Sequence, residues 1–225
     1  MDFEAGTRLA YDRLSQTHLA ESSSTVEDRP FDRALFQAFA DSVLREPGPV
    51  ADVGCGAGGI TRLLNDLGLD AFGVDLSPGM LAQARRAHPA LRFEEGSMLR
   101  LDIPDASLAG LLACYSLIHV PLAQRPRALA EFHRTLRPGG VLMLVFQVGD
   151  AAYRPSVVDD MGLEVTWYRQ RPDDLVELLA AAGFAPLFRG ERAAAGTEST
   201  PHGYLLATRP QAVTPRPAAP PDRPR

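Results

Sequence analysis

The tightest constraint on this chain lies at residues 50–59, which read Val-Ala-Asp-Val-Gly-Cys-Gly-Ala-Gly-Gly. A short apolar run, the mark of a buried strand, passes straight into a glycine turn. The pattern from Ile60 to Leu67 then reads as a helix closed by Gly68. Such a turn lets the chain reverse tightly and lets a ligand approach free amides at the helix start. Two spacings are open. Gly54, Gly56 and Gly59 fit a dinucleotide fingerprint, whereas Asp52, Gly54, Gly56 and Gly58 place a carboxylate inside the strand end. A pyrophosphate at the turn would be repelled by Asp52, while a ligand carrying both an ammonium and a carboxylate has use for both charges. A third reading makes the turn purely structural, with Asp75 as a helix cap.

The rest of the chain fits around this unit. Ala71-Phe72-Gly73-Val74 reads as a second strand ending at Asp75, and Ser77-Pro78 supplies an N-cap and a first-turn proline for a helix through Ala87. Leu91-Arg92-Phe93 starts a third strand, and Leu108 to Cys114 is a fourth. Leu122 to Leu136 is helical and stops at Arg137-Pro138-Gly139-Gly140, before a fifth strand from Val141 to Val148. Residues 149–170 have no clear period. Pro172 opens a helix to Ala182, and Phe184 to Phe188 and Gly203 to Thr208 are the last strands. Ahead of all this, residues 1–46 read as helices broken by Ser22-Ser23-Ser24-Thr25, the second starting after Pro30. Strands alternating with helices predict an α/β, doubly wound, mostly parallel sheet. Residues 210–225 are rich in proline, carry almost nothing to bury, and read as a disordered tail.

Composition narrows the chemistry. All 23 basic residues are Arg, which excludes lysine Schiff-base chemistry and any lysine-dependent P-loop. A net charge of -5 argues against a nucleic-acid partner. No apolar run approaches the roughly 18 residues of a membrane span, and the start lacks a signal-peptide pattern, so the expectation is a cytoplasmic protein with no membrane partner. Cys55 and Cys114 have no ligand neighbours at short spacing; they read as small buried residues, and no metal is expected.

An amino acid held beside a ribose describes S-adenosylmethionine, with Asp75 at the end of the second strand accepting the ribose hydroxyls. From about Val50 to Phe146 the chain resembles the class I S-adenosylmethionine-dependent methyltransferases. The resemblance implies a Rossmann-like sheet of seven strands with the last antiparallel. It places Asp52, Gly54, Gly56 and Gly58 about the methionine part, Leu76 and Met80 against adenine, and Gly96, Ser97 and Met98 along the adenine edge, with Tyr115 beside them. Leu136-Arg137-Pro138-Gly139-Gly140 matches the family's pattern before the fifth strand. At the opening of the fourth strand, Leu108-Ala109 departs from the aromatic-Asp pair that the family often has. The implied layout is an amino-terminal helical lid (1–46), a methyltransferase domain (47–209) with an insertion near the active site (149–170), and the tail. The implied product is S-adenosylhomocysteine, from a monomer or homodimer acting on a small molecule of secondary metabolism.

Methyl transfer is an in-line displacement that requires positioning and exclusion of water, plus a base where the acceptor must lose a proton. His119, just past the fourth strand, is the leading base candidate; capping of the next helix, or simple packing over the cofactor, is the alternative. Tyr11 in the lid segment and Gln147 at the end of the fifth strand are the other catalytic candidates, to hold the methionine carboxylate or the acceptor. Trp167 and Tyr168 are candidates for an apolar substrate wall. His133 reads as structural. The acceptor atom is left open among O, N and S. A non-catalytic cofactor-binding module and a nicotinamide-dependent oxidoreductase stand as alternatives.

Overall fold

The computed structural model describes residues 3–16, 29–150, 153–158, 163–196 and 198–211. The Ser22–Thr25 break lies outside these residues, as does the tail from residue 212 onward.

Two helices come first, α1 (Phe3–Leu14) and α2 (Pro30–Leu44). Then β1 (Pro49–Val53), α3 (Gly59–Asp66), β2 (Asp70–Asp75), α4 (Pro78–Ala87) and β3 (Phe93–Glu95) form the first half of the sheet with its crossovers. The second half holds β4 (Leu108–Cys114), α5 (Arg125–Thr135) and β5 (Leu136–Gln147). A hairpin of β6 (Tyr153–Val158) and β7 (Leu163–Tyr168) precedes α6 (Pro172–Ala181), β8 (Ala185–Arg192) and β9 (His202–Thr208). The main sheet has seven strands in the order β3-β2-β1-β4-β5-β9-β8. Strands β1 to β5 are parallel, while β9 runs antiparallel between β5 and β8.

Alternation along the strands fills both faces. In β5, Leu142, Leu144 and Phe146 join the core under α5 and α6, with Phe132 and Leu175. Val141, Met143 and Val145 point the other way, toward Phe36, Phe39 and Val43 of α2 and Leu64 of α3. A parallel sheet covered by helices on both sides requires this double-faced apolar pattern. The strand order reverses between β1 and β4, and the crevice beyond the carboxyl ends at such a point is where α/β sheets bind ligands.

Several expectations shift. The unpatterned stretch 149–170 contains the β6–β7 ribbon, which is too short and too interrupted by Pro155 to show a period. The helix expected from Leu122 opens as a 3-10 turn, and α5 starts at Arg125 with proline in its first turn. β3 starts at Phe93 rather than Leu91, because Leu91 is held in a turn by His88. The expected break at Arg137–Gly140 is taken into β5: Gly139 N–H donates to Arg209 O at 2.7 Å, with a register shift against β4.

Candidate active site

The glycine turn stands at the reversal point. Gly54 and Gly56 have φ of 80° and 54°, a region open to glycine at little cost. A Cβ added at Gly56 would meet nothing within 4 Å, so bare backbone faces open space there. The Gly56 and Ser77 N–H groups donate to the two oxygens of Asp75, each at 2.8 Å. Burial raises the Asp75 pKa, and these amides oppose the rise. The Leu76 N–H donates to the carboxylate as well.

A cavity enclosing about 660 Å³, part of it open to solvent, begins at this turn. Its lining carries Gly54, Gly56, Asp75 and Leu76, continued by Gly96, Ser97 and Met98. The lining also carries Tyr11, Tyr115 and His119, joined by Phe3, Glu4 and Thr7 of α1. Thus ten of the residues singled out in the sequence meet in one place. Phe3, Glu4, Thr7, Val53, Ser116 and Val120 complete the lining and were missed. Phe3, Thr7 and Tyr11 recur at every fourth position, one face of a helix, and that spacing was the available signal.

Helix α1 lines the cavity and is tied to its surroundings by side-chain bonds. Asp12 Oδ1 accepts from Ser77 Oγ at 2.6 Å and from Gly79 N–H at 2.9 Å, capping α4 from another helix. Ser97 Oγ donates to Glu4, Arg8 pairs with Glu95, and Gln83 donates to the Ser15 carbonyl.

The Tyr11 hydroxyl lies 2.8 Å from His119 Nε2, and His119 Nδ1 lies 3.0 Å from the Thr166 carbonyl on β7. A carbonyl only accepts, so Nδ1 carries the proton and Nε2 accepts from Tyr11. His119 is 8% exposed. Burial lowers its pKa to about 4, so the ring is neutral at neutral pH. Burial also pushes the Tyr11 phenol well up.

Other expected residues stand elsewhere. Asp52 is 1% exposed behind the turn, where it accepts from Thr61 Oγ1 at 2.7 Å; it does not line the cavity. Burial pushes its pKa up to about 7. Gly58 caps α3 against the Phe93 ring, and Met80 is buried under Ser77. The Gln147 carbonyl accepts from Gln170 N–H at 2.9 Å, outside the lining. Neighbouring β7 residues point to opposite faces. The Trp167 ring therefore backs His119 at 6.4 Å, whereas Tyr168 lies under the Arg125 guanidinium at 5.6 Å. Among the described residues no group of three or more His, Cys, Asp or Glu is placed to hold a metal, and no helix is long and apolar enough to cross a membrane.

Known proteins share this arrangement. The family sequence model described as "Methyltransferase domain" matches residues 50–140. The malonyl-[acyl-carrier protein] O-methyltransferase of Dechloromonas aromatica is 31% identical over 192 residues, 82% of this chain and 70% of that protein. The chain spans only 36% and 35% of the length of two curated relatives that it matches at higher identity. Among solved structures, DhpI in complex with S-adenosylhomocysteine aligns with a TM-score of 0.72 at 21% identity, over 95% of this chain and 98% of that one. The 1,6-didemethyltoxoflavin-N1-methyltransferase of Burkholderia thailandensis aligns with a TM-score of 0.67 at 22% identity, over 92% of this chain and 90% of that one. At these identities the structures establish the fold. Together with the long match to the Dechloromonas aromatica protein, a strand–glycine turn–helix unit feeding an acidic second-strand end settles the family: the chain belongs to the class I S-adenosylmethionine-dependent methyltransferases.

Proposed function

We propose that the protein moves the methyl group of S-adenosylmethionine to an oxygen or nitrogen of a small molecule from secondary metabolism. The observation that carries this reading is the Tyr11–His119–Thr166 hydrogen-bond chain at the cavity that the glycine turn lines.

The site suits the donor. The open backbone at Gly56 admits the methionine part, and the Asp75 carboxylate in the cavity lining suits vicinal ribose hydroxyls. Leu76 and Met98 offer apolar surface for adenine. When bound, S-adenosylmethionine supplies a methyl carbon on a positively charged sulfur, ready for in-line displacement.

The chain's own residues then handle the acceptor. Thr166 holds His119 in the tautomer with a free lone pair at Nε2, and Tyr11 donates into it. The Tyr11 oxygen, which also takes the Trp167 indole N–H, keeps a second lone pair to accept from an acceptor O–H or N–H. As the methyl group transfers, the acceptor's proton passes to Tyr11 and the Tyr11 proton to His119 Nε2. Burial makes the imidazolium costly, so the proton moves late and then returns to solvent. A sulfur acceptor would leave this chain without work. The named acceptor of the Burkholderia thailandensis relative, methylated at nitrogen, supports a small molecule with an N–H.

The test is methyl transfer from labelled S-adenosylmethionine to a panel of phenols, heterocyclic amines and thiols. Turnover of O–H or N–H acceptors that falls at least about 100-fold in His119→Asn supports the reading. Turnover of thiols alone, or full activity in His119→Asn, contradicts it. No product from any acceptor, with cofactor bound, would favour a non-catalytic module.

A further inference from the structure

A second tyrosine–histidine pair ends at the same cavity, and it is built differently. Tyr115, in the cavity wall at the end of β4, has φ of 50°, a left-handed conformation that a side chain other than glycine's rarely adopts. Such a residue holds only where its surroundings fix it from more than one side. Its N–H donates to Val145 O at 2.8 Å, and its hydroxyl bonds His202 Nδ1. His202 Nε2 lies 3.2 Å from Glu198 Oε1. A carboxylate only accepts, so Nε2 carries the proton and Nδ1 takes the Tyr115 hydrogen.

The chain continues inward. Arg192 grips Glu198 with two bonds of 2.7 and 2.9 Å, and Ala195 N–H adds a third at 2.8 Å. Arg192 Nε also reaches Asp32 Oδ1 at 2.7 Å, where Tyr204 donates as well, and Arg29 pairs with Glu198 at the start of α2. His202 is buried and Glu198 is partly buried. This is a fully satisfied network anchored in the sheet and in α2, and it ends on one cavity-wall tyrosine.

The left-handed step at Tyr115 has a consequence at the glycine turn. It seats Ser116 directly on Gly54: a Cβ added there would fall 2.2 Å from Ser116 Cβ. Ser116 Oγ donates to Val53 O at 2.6 Å, so the next residue braces the end of β1.

We infer that His202 and Glu198 are positioning residues of the donor site, acting through Tyr115 to hold its left-handed backbone and, through Ser116, the shape of the glycine turn. The inference rests on the reading that this cavity takes S-adenosylmethionine. Neither His202 nor Glu198 lines the cavity. They are placed to fix the wall from behind, with an acid-paired histidine in place of a backbone-paired one.

The experiment is calorimetric titration of the full chain with S-adenosylhomocysteine, in wild type, Tyr115→Phe, His202→Leu and the double variant. Losing the phenol hydrogen bond frees the strained backbone, and either single change should weaken binding on the order of tenfold. The double variant should lose no more than either single one, because both cut one chain. His202→Asn, whose Oδ1 can accept from Tyr115, should recover most of the loss seen in His202→Leu. Proton NMR of the unliganded protein should show a downfield Nε2–H resonance that His202→Leu removes and Tyr115→Phe keeps. Wild-type affinity in Tyr115→Phe, additive losses, or a spectrum without that resonance each overturn the relay. Wild-type protein that binds no S-adenosylhomocysteine overturns the cofactor reading beneath it, a distinct failure.

Discussion

Asp52 offers a test of the site's electrostatics without any ligand. Its carboxylate is 1% exposed behind the glycine turn, and burial raises its pKa from 3.8 to about 7 against the opposing Thr61 hydrogen bond. Between those values the folded chain holds a proton that the unfolded chain has released. Stability therefore falls as pH rises through this window and levels off above it. At about 1.4 kcal/mol per pH unit, the cost of ionised Asp52 grows by about 3 kcal/mol between pH 5 and pH 8. Asp52→Asn keeps an oxygen for Thr61 Oγ1 and removes the titration. Urea unfolding of both proteins, followed by circular dichroism across that range, measures the difference. The variant should gain about 3 kcal/mol on wild type from pH 5 to pH 8. A difference that stays constant with pH refutes the reasoning, since Asp52 would then ionise in the fold as it does in the unfolded chain.

His119 works in the opposite direction. Its lowered pKa means that the unfolded chain protonates first on acidification, so stability is lost between pH about 6.5 and about 4, by about 3 kcal/mol. His119→Asn should remove that loss in the same unfolding series, and an unchanged acid profile would count against a buried neutral ring. Asp75→Ala should weaken S-adenosylhomocysteine binding by about 1–3 kcal/mol through lost charge-assisted hydrogen bonds; equal affinities by calorimetry would remove Asp75 from the site. Asp12→Ala takes away the cap that α1 places on α4, at about 1 kcal/mol. Amide exchange in residues 3–14 should speed up in this variant, and unchanged protection there would mean that Asp12 does not hold α1 in place.

The parts of the fold legible in the sequence were those in which neighbouring residues carry the signal. The run from Val50 to Gly59 shows strand, turn and helix start in ten consecutive letters, and Ser77-Pro78 marks the start of α4 in two. Asp75 was legible because the end of β2 must lie beside the end of β1 in a parallel pair. The acceptor side was harder. Tyr11 and His119 were each candidates, but their bond spans 108 positions, and no local pattern announces it. The Tyr115–His202 bond spans 87, and His202 sits at the start of a strand whose pattern speaks only of burial. Gln147 and Tyr168 show the reverse error. Gln147 was read from its place at the end of β5 and Tyr168 from an unpatterned stretch, but the side that each presents depends on register and on the β6–β7 ribbon, whose short strands leave no period to read.

The central claim is that the cavity above Gly54, Gly56 and Asp75 takes S-adenosylmethionine rather than a dinucleotide. Calorimetric titration of the purified protein with S-adenosylhomocysteine, with NADH as the parallel ligand, addresses it directly. Micromolar binding of S-adenosylhomocysteine with none of NADH is the expected result. Binding of NADH alone would contradict the account, and the assignment of the donor site and of the Tyr11–His119 pair would fall with it.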